Sequence, residues 1–124
     1  MEFRDNKAIY LQIAEYVCEH ILLTKWAADE KIPSVRELAV ELEVNPNTVM
    51  RTYELLQNKN IIMNKRGIGF FVTDTAVVNV KDYRKTQFME EELPVVFRNV
   101  YLLNIDFDEL QSRYQTFVKE TFNP

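Results

Sequence analysis

Apolar residues near the start of the chain recur at helical spacing. From Lys7 to about Thr24 they fall on one side of a helix with a period of 3.6 residues, which predicts an amphipathic helix. The apolar positions on this side are Ile9, Ile13, Val17 and Ile21, with Tyr10, Tyr16 and Leu22 widening the stripe. Residues 26–33 break the period and predict a connection.

A short second helix is predicted after this connection. Ser34 and Glu37 have the spacing of a capping box, in which the serine oxygen pairs with an orphan amide and the glutamate reaches back. Pro33 prevents any earlier helix from running through this point. The inward positions of the predicted helix are Leu38, Ala39 and Leu42.

A third helix begins with the unusual run Asn45-Pro46-Asn47. Asn45 is a favoured N-cap, and Pro46 fits the first helical position because that amide has no helical partner anyway. One face of this helix holds the core positions Val49, Thr52, Tyr53 and Leu56. The opposite, outward face holds Asn47, Met50, Arg51 and Glu54. An amide and a guanidinium therefore project together from the first two turns.

The pattern then changes to two short apolar runs, Ile61–Met63 and Ile68–Thr73. The polar residues 64–67 between them predict a β-hairpin. Three helices followed by a hairpin predict a winged helix-turn-helix over residues 1–73. The whole chain is therefore expected to be mainly α with a small β-hairpin, with residues 74–124 forming a short helical dimerisation tail.

The tail regains helical periodicity in two stripes. The first contains Val96, Phe97, Val100, Tyr101 and Leu103, and the second contains Phe107, Leu110, Tyr114, Phe117 and Val118. Pro94 begins a helix or kinks a longer one, and residues 106–109 form a second capping pattern. Helices this short cannot bury so many apolar residues alone. Packing on the first helix and homodimerisation both remain open, and homodimerisation is favoured because DNA readers of this type bind paired half-sites.

The charge distribution separates one segment from the rest. Residues 44–73 contain four basic residues and one acidic residue, so they carry +3, which leaves −7 for the remainder of a chain whose total is −4. A local basic patch on an acidic body suits a DNA reader, because phosphates respond to the facing surface. The single cysteine, Cys18, and the absence of a signal peptide or a long apolar run predict a soluble, cytoplasmic protein.

Catalytic signatures are missing from the sequence. The one histidine, His20, lies alone late in the first predicted helix, and the acidic run at Met89–Leu93 is typical of a solvated helix face. No metal-ligand spacing, nucleophile elbow or P-loop occurs, and Gly67 and Gly69 lack the strand–loop–helix context of a phosphate loop. The sequence therefore predicts no enzyme and no cofactor.

Several spaced motifs resemble the GntR family of bacterial transcription regulators. The family's Leu-Pro-Ser-x-Arg-x-Leu-Ala stretch, its Val-x-x-x-Thr-Val, its Tyr-x-x-Leu and its Gly-x-Gly-x-Phe-Val wing have counterparts here at residues 32–39, 44–49, 53–56 and 67–72. Pro46 replaces an arginine that many members carry, and residues 58–60 replace a usual glycine. Residues 45–47 and the tail from Glu91 to Phe117 resemble the small YtrA subfamily, which lacks a large effector domain.

The resemblance implies a sequence-specific DNA-binding regulator, expected to be a repressor that binds a palindromic operator as a homodimer. Base edges are expected to be read by Asn47 and Arg51, since an amide suits adenine and a guanidinium suits guanine. Phosphate contacts are expected from Ser34, Arg36, Asn45 and Thr48. The wing is expected to approach the minor groove with Lys65, Arg66 and Gly67.

A winged helix that binds only proteins is the alternative. The outward Asn47 and Arg51 and the basic wing weigh against it. The sequence indicates neither the operator nor the regulated genes, and nothing in the tail marks the pocket of a small-molecule effector.

Overall fold

The structure, a computed structural model, describes all residues from Met1 to Pro124 and forms two compact units, Met1–Lys85 and Thr86–Pro124. The helices are α1 (Ile9–Leu22), α2 (Val35–Leu42), α3 (Pro46–Asn58), α4 (Ala76–Gln87), α5 (Leu93–Leu102) and α6 (Phe107–Thr121). The strands β1 (Ile62–Lys65) and β2 (Gly69–Val72) pair antiparallel. None of the helices combines the length and the apolar character needed to cross a bilayer.

Both predicted helix starts in the first unit are confirmed. The Glu37 amide donates to Ser34 Oγ at 3.1 Å and the Ser34 amide donates to Glu37 Oε1 at 2.9 Å, which completes the capping box of α2. At the start of α3 the Asn47 amide donates to Asn45 Oδ1 at 2.8 Å, and Pro46 occupies the first turn. The two caps set where α2 and α3 begin, and therefore which residues α3 turns outward.

The core of the first unit contains the inward faces predicted for α2 and α3. Val49, Thr52, Tyr53 and Leu56 are fully buried. Two hydroxyl groups use backbone acceptors: Tyr53 Oη donates to the Pro33 carbonyl at 2.6 Å, and Thr52 Oγ1 donates to the Tyr10 carbonyl at 2.7 Å. The second bond joins α3 to the first turn of α1.

The inner face of α1 differs from its apolar pattern at two positions. Ile9, expected on the inner face, is 45% exposed, whereas Gln12 is 3% exposed. Gln12 Oε1 accepts from the Arg4 amide, and Gln12 Nε2 donates to the carbonyls of Arg4 and Lys7. A buried amide is stable here because all of its hydrogen bonds are made to the N-terminal segment, which folds back on the helix.

The hairpin is shorter at its tip than the sequence pattern predicted. Asn64 and Lys65, expected in the turn, belong to β1, and Ile68, expected in a strand, lies in the turn. The reason is the pairing register, in which Lys65 lies opposite Gly69 and the Ile68 amide donates to the Lys65 carbonyl at 2.9 Å. A further bridge joins Lys31 to Phe71, so part of the predicted connection pairs with the wing.

Helix α4 was not predicted, and it extends the first unit past Thr73. Its residues Ala76 and Val80 are buried in the same core as the first three helices. The compact unit consequently continues to Lys85. The expected functional division into residues 1–73 and 74–124 stays a prediction.

The second unit buries very little of its own apolar surface. Val100 is its only buried residue, at 8% exposure. Helix α5 follows a π-helical turn at Phe88–Glu92 and has Pro94 in its first turn, and α6 starts at the predicted cap, where the Asp108 amide donates to Asp106 Oδ1 at 2.9 Å. Its exposed large apolar side chains are Phe88, Met89, Val95, Val96, Phe97, Tyr101, Leu102, Leu103, Phe107, Tyr114, Phe117 and Phe122.

An ion cluster ties three segments of the first unit together. The Glu15 carboxylate of α1 pairs with Arg4 at 2.9 Å, Lys7 at 2.5 Å and Arg84 at 3.0 Å. Burial raises the pKa of Glu15, but the Lys7 hydrogen bond and the charges of Arg84, Lys7 and Arg4 outweigh it, so the pKa lies below its usual 4.5. A carboxylate with a lowered pKa in the folded state stabilises the fold above the unfolded pKa.

We expect Glu15→Gln to lower the free energy of unfolding by ~1–2 kcal/mol at pH 7, because the three cations lose their shared counter-charge. The deficit should shrink as the pH falls through the folded pKa of Glu15, where the wild-type carboxylate is protonated too. Urea unfolding between pH 7 and pH 3 measures it. The control is Glu109→Gln at the exposed Arg113–Glu109 pair, which should change stability by less than ~0.5 kcal/mol. A deficit independent of pH would contradict the account.

Candidate nucleic-acid interface

The outward face of α3 presents the two predicted base-reading side chains. Asn47 and Arg51 are exposed, one turn apart, while Val49 and Tyr53 between and beyond them are buried. No carboxylate pairs with Arg51, so its charge is not neutralised within the chain. The face therefore offers hydrogen-bond donors and a free cation at the N-terminal half of the helix.

The Arg51 guanidinium lies over the ring of Tyr10, with its Cζ atom 3.8 Å from the ring centroid. Beside this contact is a shallow hollow of about 340 Å³ lined by Ala8, Ile9, Tyr10, Asn47, Thr48 and Arg51. The structure thus brings three of the predicted site residues together with the start of α1.

The helix caps leave donors available for phosphate. Ser34 Oγ accepts from Glu37, which leaves the serine hydroxyl hydrogen free to donate. Asn45 uses Oδ1 as the cap acceptor, and its Nδ2 makes no hydrogen bond within the chain. Hydrogen bonds from the Ser34 backbone and side chain lower the pKa of Glu37 below 4.5, so this capping carboxylate stays ionised at neutral pH. Arg36 is exposed on the first turn of α2 and Thr48 is half-buried on α3.

The wing holds a second group of cations. Lys65 ends β1, and its Nζ lies 4.2 Å from the centroid of the Phe71 ring. Arg66 and Gly67 form the exposed tip, where Gly67 has a φ of +78° that a side chain would strain. Lys59, the remaining cation of the basic segment, lies 5.7 Å from the Tyr83 ring centroid, towards α4. The basic segment is thus divided between α3, the wing and the α4 side.

Two residues beside the predicted site were missed by the sequence analysis. Tyr10 supplies the ring under Arg51, and Lys31 crosses the wing so closely that a Cβ on Gly69 would lie 2.9 Å from Lys31 Cε. Tyr10 read only as part of an apolar stripe, and Lys31 lay in a predicted connection. No local pattern indicates either contact, because each joins residues far apart in the chain.

The chain is similar to known bacterial regulators over most of its length. Residues 9–72 match the family model described as "Bacterial regulatory proteins, gntR family". The HTH-type transcriptional repressor YtrA of Bacillus subtilis (strain 168) is 30% identical over 107 residues, which cover 86% of this chain and 82% of that protein.

Two solved structures extend the similarity to three dimensions. The crystal structure of a transcriptional regulator of the GntR family from Bacteroides thetaiotaomicron is 48% identical with a TM-score of 0.71, and the match covers 91% of this chain and 98% of that one. The DNA-binding domain of AraR in complex with operator ORX1 is 25% identical with a TM-score of 0.53, covering 58% of this chain and 93% of that one.

Proposed function

The chain belongs to the GntR family and is a helix-turn-helix transcriptional regulator rather than an enzyme, and on this premise we propose that it binds a palindromic operator as a homodimer and represses transcription. The observation that carries the proposal is the exposed pair Asn47 and Arg51 on α3, opposite its buried face. A helix with this distribution can enter a major groove while its inner face stays in the core. Because bacterial operators lie in the cytoplasm, the proposed function requires a cytoplasmic protein.

Sequence readout is assigned to two side chains on α3. Arg51 presents a planar fork that suits O6 and N7 of guanine, and Asn47 presents an amide that suits N6 and N7 of adenine. Their position in the first two turns of α3 supports this role, since the N-terminal part of a recognition helix contacts base edges.

Positioning on the backbone is assigned to the caps and the wing. Ser34, Asn45 and Thr48 lie in or beside the first turns of α2 and α3, and Arg36 adds an exposed charge there. Phosphate contacts of this kind fix the register without reading sequence. At the wing, Lys65, Arg66 and Gly67 are assigned to the minor groove, where a narrow groove attracts cations.

The homodimer is supported by the apolar surface of the second unit. A unit of about 40 residues rarely folds without a partner or a staple. The exposed apolar residues of α5 and α6 need a cover, and Tyr101 at 84% exposure and Leu103 at 68% are among them. A second copy of the chain provides a matching surface, and two-fold symmetry presents two α3 helices to half-sites about 10 bp apart.

The sign of regulation is taken from the similarity to the repressor YtrA. A dimer seated on an operator that overlaps a promoter excludes the polymerase by occupying its site. The operator in the AraR complex supports duplex DNA as the partner of this domain.

We expect Arg36→Ala and Lys65→Ala to weaken binding to selected and random duplexes alike. Each variant should lower the slope of log affinity against log salt by ~1, because each removes about one phosphate contact. Fluorescence anisotropy on labelled duplexes across a salt series measures both quantities. Lys81→Ala, which removes an exposed cation of α4, is the matched control and should leave the slope unchanged.

The same titration tests the proposed function. A regulator of this kind should bind a random duplex weakly at low salt and lose that binding as salt rises. Absence of any salt-dependent binding by the full-length chain would overturn the proposal and favour a winged helix that binds proteins.

A further inference from the structure

We propose that Tyr10 is a positioning residue that holds the Arg51 guanidinium flat and ready for base readout. The inference rests on the proposed function, because it concerns the side chain assigned to guanine. It adds to the interface a residue of α1, outside the helix-turn-helix.

The geometry separates the two surfaces of the guanidinium. Arg51 Cζ lies 3.8 Å from the centre of the Tyr10 ring, so the ring takes one flat face of the cation. Hydrogen bonds from a guanidinium leave through its edge, in the plane of the group. Stacking on the face therefore leaves the donors free for a base edge. An ion pair would occupy those donors, and Arg51 has none.

The backbone under Tyr10 is fixed to the recognition helix. Thr52, the neighbour of Arg51, is fully buried and donates from Oγ1 to the Tyr10 carbonyl at 2.7 Å and to the Thr48 carbonyl at 3.2 Å. The ring is thus carried on backbone that moves with α3. Both Tyr10 and Arg51 border the same surface hollow, together with Asn47.

The energetic consequence is preorganisation. A free arginine side chain loses rotamer freedom when it binds a base, whereas a stacked one has already lost part of it. A cation–π contact contributes ~0.5–2 kcal/mol according to how far it is desolvated, which corresponds to about two- to thirtyfold in affinity.

The test uses the full-length chain and an operator obtained by selection from random duplexes. Tyr10→Leu should lower operator affinity about three- to thirtyfold, and Tyr10→Phe, which keeps the ring, should stay within about twofold of wild type. In an Arg51→Ala background, Tyr10→Leu should have no further effect beyond about twofold. Affinity for a random duplex should change little, which a general folding defect would not allow.

A direct readout of the stack covers the case in which Tyr10→Leu disturbs folding. The side-chain protons of Arg51 in the free protein should show an upfield ring-current shift by NMR, retained in Tyr10→Phe. Unshifted Arg51 protons in wild type would overturn the inference. So would a Tyr10→Leu loss that is equal on random and selected DNA, or additive with Arg51→Ala. If Arg51→Ala itself kept full affinity and specificity, the proposed readout would fail instead, whatever Tyr10 does.

Discussion

The full-length chain carrying Phe117→Asp is expected to be a monomer and to lose ~10²–10⁴ in apparent operator affinity. Phe117 is 56% exposed on α6, in the apolar stripe that we assign to the dimer interface. A buried, unpaired carboxylate at that interface would oppose association. A monomer holds one half-site at a time, so the advantage of two linked sites is lost. Sedimentation and operator titration measure the two effects.

The matched control places the same charge on the other side of α6. Ser112 is exposed and lies on the face of α6 opposite the apolar stripe, so Ser112→Asp should leave both assembly and affinity unchanged. A truncation after Lys85 should reproduce Phe117→Asp, and it retains Ala76 and Val80 in the core, which a cut at Thr73 would remove. A wild-type chain that sediments as a monomer at micromolar concentration, with and without operator, would contradict the dimer.

Arg51→Ala and Asn47→Ala are each expected to cost ~1–3 kcal/mol of operator binding and to relax specificity at one base pair in each half-site. Both side chains are exposed on α3, and neither supports the core, so the loss should appear in DNA binding and not in the thermal midpoint. Selection experiments on each variant would show which position of the motif loses its preference.

Asn58→Ala is the control for Asn47→Ala, because it removes the same exposed amide from the far end of α3. It should keep the wild-type motif and the wild-type affinity. If Asn47→Ala and Arg51→Ala both kept an unchanged motif, α3 would not be the reading helix.

The parts of the fold that sequence predicted are those encoded locally. The fold class and the GntR resemblance are confirmed. Ser34 with Glu37, and Asn45 with Pro46, act within a few residues of each other, so their spacing alone indicates where α2 and α3 begin. Asn60 likewise has a φ of +57°, the left-handed conformation expected where the family's glycine is replaced.

The features that sequence missed depend on distant contacts. Gln12 is buried because Arg4 and Lys7 satisfy its amide, and the Glu15 cluster needs Arg84 from α4. The missed helix α4 has its buried positions, Ala76 and Val80, four residues apart, but the adjacent valines between them favour extended structure. The nine predicted DNA contacts stay predictions, because no nucleic acid tests them.

Selection of bound sequences from a random duplex pool by the full-length chain tests the central claim most directly. The account predicts an enriched motif with two-fold symmetry and half-sites about 10 bp apart, bound by two chains. Each half-site should contain a guanine whose preference depends on Arg51. A pool that shows no enriched sequence after repeated rounds, or an asymmetric motif bound by one chain, would contradict it.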